Sequence, residues 1–179
     1  MKLKEAEIAL NKFAKYVIQQ SKSNLTKGKK NVSKELYNSL DYDLDLNFDG
    51  SGFILQFLME EYGQYQDQGV SGTKKKYKTP FKYKSKGGKR GLKGMPPVAA
   101  LDKWAVRKSG LKKAVRDKKG RFIPRKSLVF LIGRKIFLEG IKPSLFFTKP
   151  FEKAYKNLPK ELLTAFVNDY EKILEDGNI

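Results

Sequence analysis

The chain has 179 residues, which is the size of one domain, and 40% of them are hydrophobic, which is enough to build a core. It contains neither histidine nor cysteine, which excludes disulfides, thiolate metal sites, most hydrolase triads and most zinc enzymes. No apolar run approaches the roughly 20 residues that cross a bilayer, and the opening MKLKEAEIALNKF mixes charge into its apolar positions. We therefore expect no membrane partner and a soluble protein that is intracellular when made.

Two helices are predicted at the beginning of the chain. Over residues 3–25 the apolar side chains recur at spacings of three and four, which is typical of an amphipathic helix. The polar stretch that contains Gly28 ends this helix. Ser33 is then predicted to cap a short second helix over residues 34–40.

A β-hairpin is predicted next. Residues 41–48 alternate strictly between an apolar and a polar face, which is typical of a strand with one wet side. The Asp-Gly-Ser-Gly sequence at 49–52 supplies a turn, and the mostly apolar residues 53–59 return as an antiparallel partner. The polar face of the first strand carries Asp41, Asp43, Asp45 and Asn47.

Residues 60–69 are aromatic and acidic, and from there to Gly94 the chain is a tract rich in lysine, glycine and tyrosine with little periodicity. This pattern predicts a long loop or a projecting arm, which is usually functional or ordered by a partner. Tyr77, Phe81 and Tyr83 are interleaved with lysines, and such a pattern suits base stacking on single strands. We favour the alternative that these rings anchor the tract on its own protein.

Helices dominate the remainder of the chain. The predicted elements are a helix over 96–109, a basic hairpin over 113–123, a helix over 125–139 that Gly140 ends, a short strand within 141–147, and helices over 150–157 and 159–175. The positions predicted to face the core are Val98, Leu101, Trp104 and Ala105; then Leu128, Leu131, Ile132, Ile136 and Leu138; and finally Leu162, Leu163, Phe166, Val167, Tyr170 and Leu174.

The order of these elements predicts an α+β fold. It comprises an N-terminal amphipathic helix, an antiparallel β-hairpin sheet, a long basic arm and C-terminal helices. We expect a single domain over residues 1–179, with a basic insertion or arm at about 71–135.

The positive charge is concentrated in that insertion. Residues 71–135 carry 23 Lys or Arg and two acids, a formal charge of +21, whereas the remaining residues carry 15 basic and 17 acidic side chains, a charge of −2. Such a block repels itself, so we expect phosphates, acidic protein or bound anions to match it, although a solvated face is the alternative. The residues predicted to make inter-subunit or polyanion contacts are Lys74, Lys75, Lys76, Lys78, Lys82, Lys84, Lys86, Lys89, Arg90, Lys93, Lys118, Lys119 and Arg121.

Catalytic and metal sites find little support in the sequence. The three aspartates of the first strand are oxygen ligands suited to Mg²⁺, but we favour a solvated strand edge, whose like charges resist strand pairing. The segment from Asp45 copies half of a calcium loop, yet Gln56 stands where that loop needs its glutamate. The glycine and lysine run KSKGGKRGLKG lacks the P-loop pattern. We therefore predict no catalytic residue, metal or cofactor, and a metal-dependent nuclease is the remaining enzymatic hypothesis.

Several segments resemble the tail-completion and neck proteins of tailed bacteriophages, a family of head-tail joining and minor tail proteins. The resemblance rests on ALNKFAKYVIQQSKSNL, SKELYNSL, YGQYQDQGVSGT and IKPSLFFTKPFEKAYKNL, which occur in the family's order and at its spacing. The basic stretch over 71–135 departs from the family's usual compactness and resembles an enlarged insertion.

The resemblance implies a virion structural protein, not an enzyme, that assembles as a homo-oligomeric ring between portal and tail. The implied partners are neighbouring portal, neck or tail proteins, and the implied location is the virion, with the host cytoplasm during assembly. The basic arm is then expected to reach an acidic neighbouring ring or to contact genomic DNA without sequence preference. The alternative is a free basic nucleic-acid-binding protein of phage replication or packaging.

Overall fold

The computed structural model describes residues 3–30, 33–46, 52–88, 92–97, 99, 101–102, 116 and 118–176. The chain divides into two compact units, one made of residues 1–61 with 145–179 and the other of residues 62–144. We call them the terminal unit and the basic unit. The fold class is α+β, as predicted, with helices and two small antiparallel sheets. The basic unit contains the whole of the predicted insertion.

The elements follow one another in a simple order. They are α1 (Lys4–Lys27), α2 (Glu35–Ser39), β1 (Asp41–Leu46), β2 (Phe53–Leu58), α3 (Tyr62–Gln68), β3 (Val70–Ser71), α4 (Arg125–Glu139), β4 (Gly140–Ile141), α5 (Thr148–Tyr155) and α6 (Leu158–Asp176). No helix in the described ranges is both long enough and apolar enough to cross a membrane.

Helix α1 organises the terminal unit, because it packs on α5, α6 and the hairpin of β1 and β2. The predicted apolar periodicity is confirmed, and the buried stripe includes the polar Ser21 between Val17 and Leu25. Ser21 satisfies its hydroxyl by donating to the carbonyl oxygen of Val17 at 2.7 Å. The polar side chain can therefore be buried without losing a hydrogen bond.

The first turn of α1 is capped by a residue from the other end of the chain. Leu3, at the N-cap, makes no side-chain hydrogen bond. Instead the buried carboxylate of Asp169 in α6 accepts hydrogen bonds from the backbone N–H groups of Glu5 and Ala6, each at 2.9 Å. The first N–H groups of a helix have no partner inside it and attract negative charge, so Asp169 stabilises α1 and joins it to α6.

The hairpin has the predicted pairing and the predicted wet face. β1 pairs antiparallel with β2 from Asp41 opposite Leu58 to Leu46 opposite Phe53. Asp41, Asp43 and Asp45 are exposed, whereas Phe57 on the other face packs into the core. Residues 47–51, which include the predicted turn, lie outside the described residues.

Aromatic side chains fill the space between α1, the hairpin and α5. Phe57 meets Phe13, Phe147 and Phe151 edge to face, with ring centroids 5.3 to 6.1 Å apart. Such pairs contribute about 0.5–1.5 kcal/mol each beyond the burial of their area. The three core clusters found in the described residues all belong to the terminal unit.

Two predictions about local structure are wrong, and one helix was not predicted. Ser33 does not cap α2, because Lys34 occupies the N-cap with a φ of 61° and no side-chain cap is made. The last strand is limited to Gly140–Ile141, and residues 146–147 form a turn instead. Residues 62–68, which were assigned no element, form helix α3.

The buried faces of two helices also differ from the prediction. Helix α4 has the predicted bounds, but it buries Val129, Gly133 and Phe137, while Leu131 is exposed and Leu128, Ile132, Ile136 and Leu138 are half-buried. Gly133 explains why this face of α4 is buried. It lets the helix approach Leu101 closely, because a Cβ at this position would lie only 3.2 Å from the Leu101 side chain. Helix α6 buries Leu158, Ala165 and Asp169, and it leaves Leu163, Val167, Tyr170 and Leu174 exposed. Both helices are apolar on more than one side, so periodicity alone does not select the packed face.

The remaining elements of the basic unit are only partly described. Residues 99, 101 and 102 are helical, whereas 98, 100 and 103–109, with the predicted inward Val98, Trp104 and Ala105, lie outside the described ranges. Leu101 is half-buried. The predicted basic hairpin is confirmed where it is described, by an antiparallel bridge between Arg116 and Phe122.

Candidate polyanion-contact surface

The predicted contact residues that the structure describes all lie in the basic unit, and all are exposed. Lys89 and Arg90 lie outside the described residues. The others fall into a first group at 74–86 with Lys93 and a second group at 118–121. The structure thus places the predicted side chains in solvent, on a unit that carries 24 of the 38 basic residues and 4 of the 19 acids, a formal charge of +20.

Backbone hydrogen bonds fold the first lysine group against β3 and the end of α4. The N–H of Ser71 donates to the carbonyl of Phe81 at 2.8 Å, and the N–H of Tyr83 donates to the carbonyl of Ser71 at 2.9 Å. Lys74 and Lys75 both donate backbone N–H groups to the carbonyl of Leu138, at 2.9 and 3.1 Å. The tract predicted as a loop or projecting arm is therefore attached to its own unit over these residues.

Two of the three aromatic residues of the tract, Phe81 and Tyr83, serve this attachment, as we favoured. Phe81 meets Tyr65 of α3 at a ring-centroid distance of 4.6 Å, and Tyr83 meets the buried Phe137 of α4 at 6.0 Å. Burial raises the pKa of Tyr83 above its usual 10.0. Because Phe81 and Tyr83 turn inward, the intervening Lys82 and the following Lys84 extend outward.

Three glycines allow the close approach of β3, β4 and the end of α4. At Gly140 the φ is 79°, and a Cβ would lie 2.0 Å from the carbonyl oxygen of Val70. Comparable clashes would arise at Gly69 and Gly72. Only glycine fits such positions, so these residues determine how the lysine tract returns to α4.

Few carboxylates balance the lysines in the part of the basic unit that the structure describes. Asp67 is buried, Asp102 binds the guanidinium of Arg125 through two hydrogen bonds of 2.6 and 2.7 Å, and Glu139 lies 3.9 Å from Lys135. No described carboxylate forms an ion pair with Lys74, Lys78, Lys82, Lys84, Lys86, Lys93 or Lys118. Their charge is available to an external anion.

A groove of about 680 Å³ runs beside Lys82 and Lys84. Its walls combine apolar and aromatic groups with the two ammonium groups. The lining residues are Tyr62, Tyr65, Gln66, Val70, Pro80, Phe81, Lys82, Tyr83, Lys84 and Ile141. Tyr62 and Tyr65 remain 43% and 40% exposed, which leaves ring surface accessible to a ligand.

Gln66 lines the groove, but its Nε2 is enclosed and has no hydrogen-bond partner among the described residues. A buried amide hydrogen without a partner costs about 1–3 kcal/mol. The apolar walls and the cationic rim of the groove suit a partner that combines apolar groups with carboxylate or phosphate.

The second group of basic residues lies on the small hairpin around Gly120. Arg116 donates to the carbonyl of Gly120 at 2.8 Å and lies 4.1 Å from the ring centre of Phe122.

The aspartates of β1, which were considered as ligands for Mg²⁺, do not form a metal site. In the part of the chain that the structure describes, no three carboxylates are arranged to hold a metal ion. Asp41, Asp43 and Asp45 follow one another along β1, and the carboxylate of Asp41 accepts a hydrogen bond from the N–H of Tyr42.

Sequence reasoning missed the groove. Helix α3 carries three of the lining residues, Tyr62, Tyr65 and Gln66. They occupy positions i, i+3 and i+4, which lie on one face of a helix. The segment is too short and too polar for its period to be recognised. Its pairing with Phe81 also requires the tertiary fold.

Comparison of the chain with protein-family models, curated protein sequences and solved structures gives no significant match. The resemblance to tail-completion and neck proteins therefore remains a prediction.

Proposed function

We propose that this chain is a structural protein, not an enzyme, that forms a homo-oligomeric ring in the head-tail connector (neck) or tail of a tailed phage. Its basic unit contacts an acidic surface of neighbouring subunits or neck proteins, or the phosphates of genomic DNA. The virion setting rests on the order of the family-like sequence segments. The contact itself rests on the observation that the basic unit holds a charge of +20, while the rest of the chain holds −1.

Physical reasons support an anionic counter-surface. Exposed lysines without carboxylate partners repel one another, and this repulsion is relieved when anions approach. Phosphate contacts by lysine do not depend on sequence and weaken as salt rises. Protein carboxylates in a neighbouring ring would supply the same charge with a fixed geometry.

The decisive experiment is the mass of the purified protein in solution, measured by light scattering with and without short duplex DNA at about 50 and about 200 mM salt. A discrete oligomer supports the ring. A protein that stays monomeric at all concentrations, and binds DNA tightly at low salt only, contradicts it.

The second candidate is a free nucleic-acid-binding protein, which the exposed rings of Tyr62 and Tyr65 beside unpaired lysines favour. Base stacking on an aromatic ring contributes about 1–3 kcal/mol per base. For this function, Tyr65→Ala weakens binding of single-stranded DNA more than binding of duplex DNA. Equal affinity of the wild type and the variant for a single strand contradicts it.

A further inference from the structure

The outward face of the β1–β2 hairpin is a second surface without a partner in the described residues. It carries Asp41, Asp43 and Asp45 from β1, and from β2 it carries Ile54 and Leu58, which are 47% and 41% exposed. Register places Asp45 opposite Ile54 and Asp41 opposite Leu58, so each apolar side chain has a carboxylate beside it. None of the three aspartates forms an ion pair within the described ranges.

This face and the groove of the basic unit are complementary in charge. Three carboxylates without cations lie on the hairpin, and Lys82 and Lys84 without carboxylates lie on the groove. Opposite charges brought together in a partly desolvated contact attract, and they also reject partners of the wrong sign.

They are also complementary in spacing. Asp43 and Asp45 lie two residues apart on β1, which separates them by about 6.7 Å. Lys82 and Lys84 are likewise two residues apart, on either side of the half-buried Tyr83, and residue 82 forms a β-bridge with Ser71. Two extended segments with this common spacing can oppose their charges one to one.

The apolar parts match as well. Ile54 and Leu58 project from the hairpin, and the groove offers the rings of Tyr65 and Phe81. Asp43 and Gln56 lie between these two apolar side chains, so the contact alternates apolar and charged groups.

We propose that the outward hairpin face of one copy of this chain binds the lysine-flanked groove of a second copy. The contact joins two different surfaces, so each subunit offers its hairpin to one neighbour and its groove to the other. Contacts of this kind close into a ring or continue as a filament. The proposal rests on the proposed homo-oligomer and names the two surfaces that build it.

A charge-exchange experiment tests this contact directly. Variant A carries Asp43→Lys and Asp45→Lys, and variant B carries Lys82→Glu and Lys84→Glu. In A alone, a basic hairpin meets a basic groove, and in B alone both surfaces are acidic. Each variant should lose the oligomer that the wild type forms. In an equal mixture of A and B every alternating contact is attractive again, so the oligomer should return.

Matched controls carry the same change of charge elsewhere. Glu152→Lys with Glu171→Lys parallels variant A on exposed helical positions, and Lys126→Glu with Lys153→Glu parallels variant B on exposed helical positions outside the groove. Circular dichroism of all four variants verifies that they fold. The control pairs should assemble as the wild type does.

The outcomes separate this inference from the proposed function. If the wild type assembles and A and B assemble equally well alone, the contact is wrong and the oligomer stands on another surface. If A and B stay monomeric and their mixture does too, the direct pairing is wrong. A wild type that is monomeric at every concentration overturns both proposals, and loss of DNA binding in B alone then assigns the groove to nucleic acid.

Discussion

The terminal unit and the basic unit are ordered by different forces. The terminal unit contains the three apolar core clusters of the described residues, built around α1 and its aromatic neighbours, and its charges nearly cancel. Among the residues of the basic unit that the structure describes, the large buried apolar side chains are Val70, Val129 and Phe137. Backbone hydrogen bonds and glycines bring its strands close to the end of α4. A unit ordered in this way can present lysines on its surface without using them for its own fold.

The comparison predicts that loss of an aromatic side chain destabilises the terminal unit most. Phe13→Ala removes a buried ring that contacts Phe57 and Phe151 edge to face. The free energy of unfolding should fall by about 3–5 kcal/mol, measured by denaturant titration. Phe130→Ala, where the ring is 39% exposed, is the control for an aromatic ring outside a core cluster and should cost far less. Equal losses would contradict the stabilisation that we assign to the aromatic core of the terminal unit.

In the basic unit, we expect a glycine at a close approach of the backbone to be critical for stability. Gly140→Ala places a Cβ 2.0 Å from the carbonyl oxygen of Val70, at a φ of 79°. Gly87→Ala is the control, because its φ is 81° and a Cβ there meets nothing within 4 Å. We expect Gly140→Ala to cost about 2 kcal/mol more than Gly87→Ala, by thermal denaturation. If both cost the same, backbone strain alone explains the effect and the close approach does not matter.

The cap from Asp169 should contribute less than an aromatic core residue. Asp169→Ala leaves the N–H groups of Glu5 and Ala6 without their acceptor, which should cost about 0.5–2 kcal/mol. Hydrogen exchange of the first turn of α1 should accelerate, because two of its N–H groups lose their acceptor on α6. Asp169→Asn keeps one amide oxygen and should retain part of the protection. Unchanged exchange in the alanine variant would show that another group caps α1.

Raising the pH into the alkaline range should have the smallest effect on stability, and a different residue in each unit should be responsible for it. Burial raises the pKa of Tyr83 above 10.0, and a hydrogen bond from Lys172 to Glu5 raises the pKa of Lys172 above 10.5. Each folded-state pKa lies above the unfolded value, so the stability is fully present below that value and is lost as pH rises through the folded pKa. Tyr83→Phe should make the stability of the basic unit less dependent on pH in this range. Lys172→Met should do the same for the terminal unit. Measurements of the free energy of unfolding from pH 9 upward check both expectations.

Elements with a strong local signal could be predicted from the sequence. The period of α1, the strict alternation of β1 and the glycine at the end of α4 are local patterns, and the structure has all three. The exposure of the aspartates follows from the same alternation. The concentration of positive charge is a property of composition, so the sequence alone determined it.

The packed faces of α4 and α6, the cap from Asp169 and the groove were decided only by the tertiary structure. The two helices are apolar around more than one side, and a small residue or a partner helix chooses which side is buried. Asp169 reaches α1 across more than 160 residues, and the groove joins α3 to a tract near Phe81 and Lys82. Contacts between residues so far apart leave no local period, because their geometry exists only after the chain has folded.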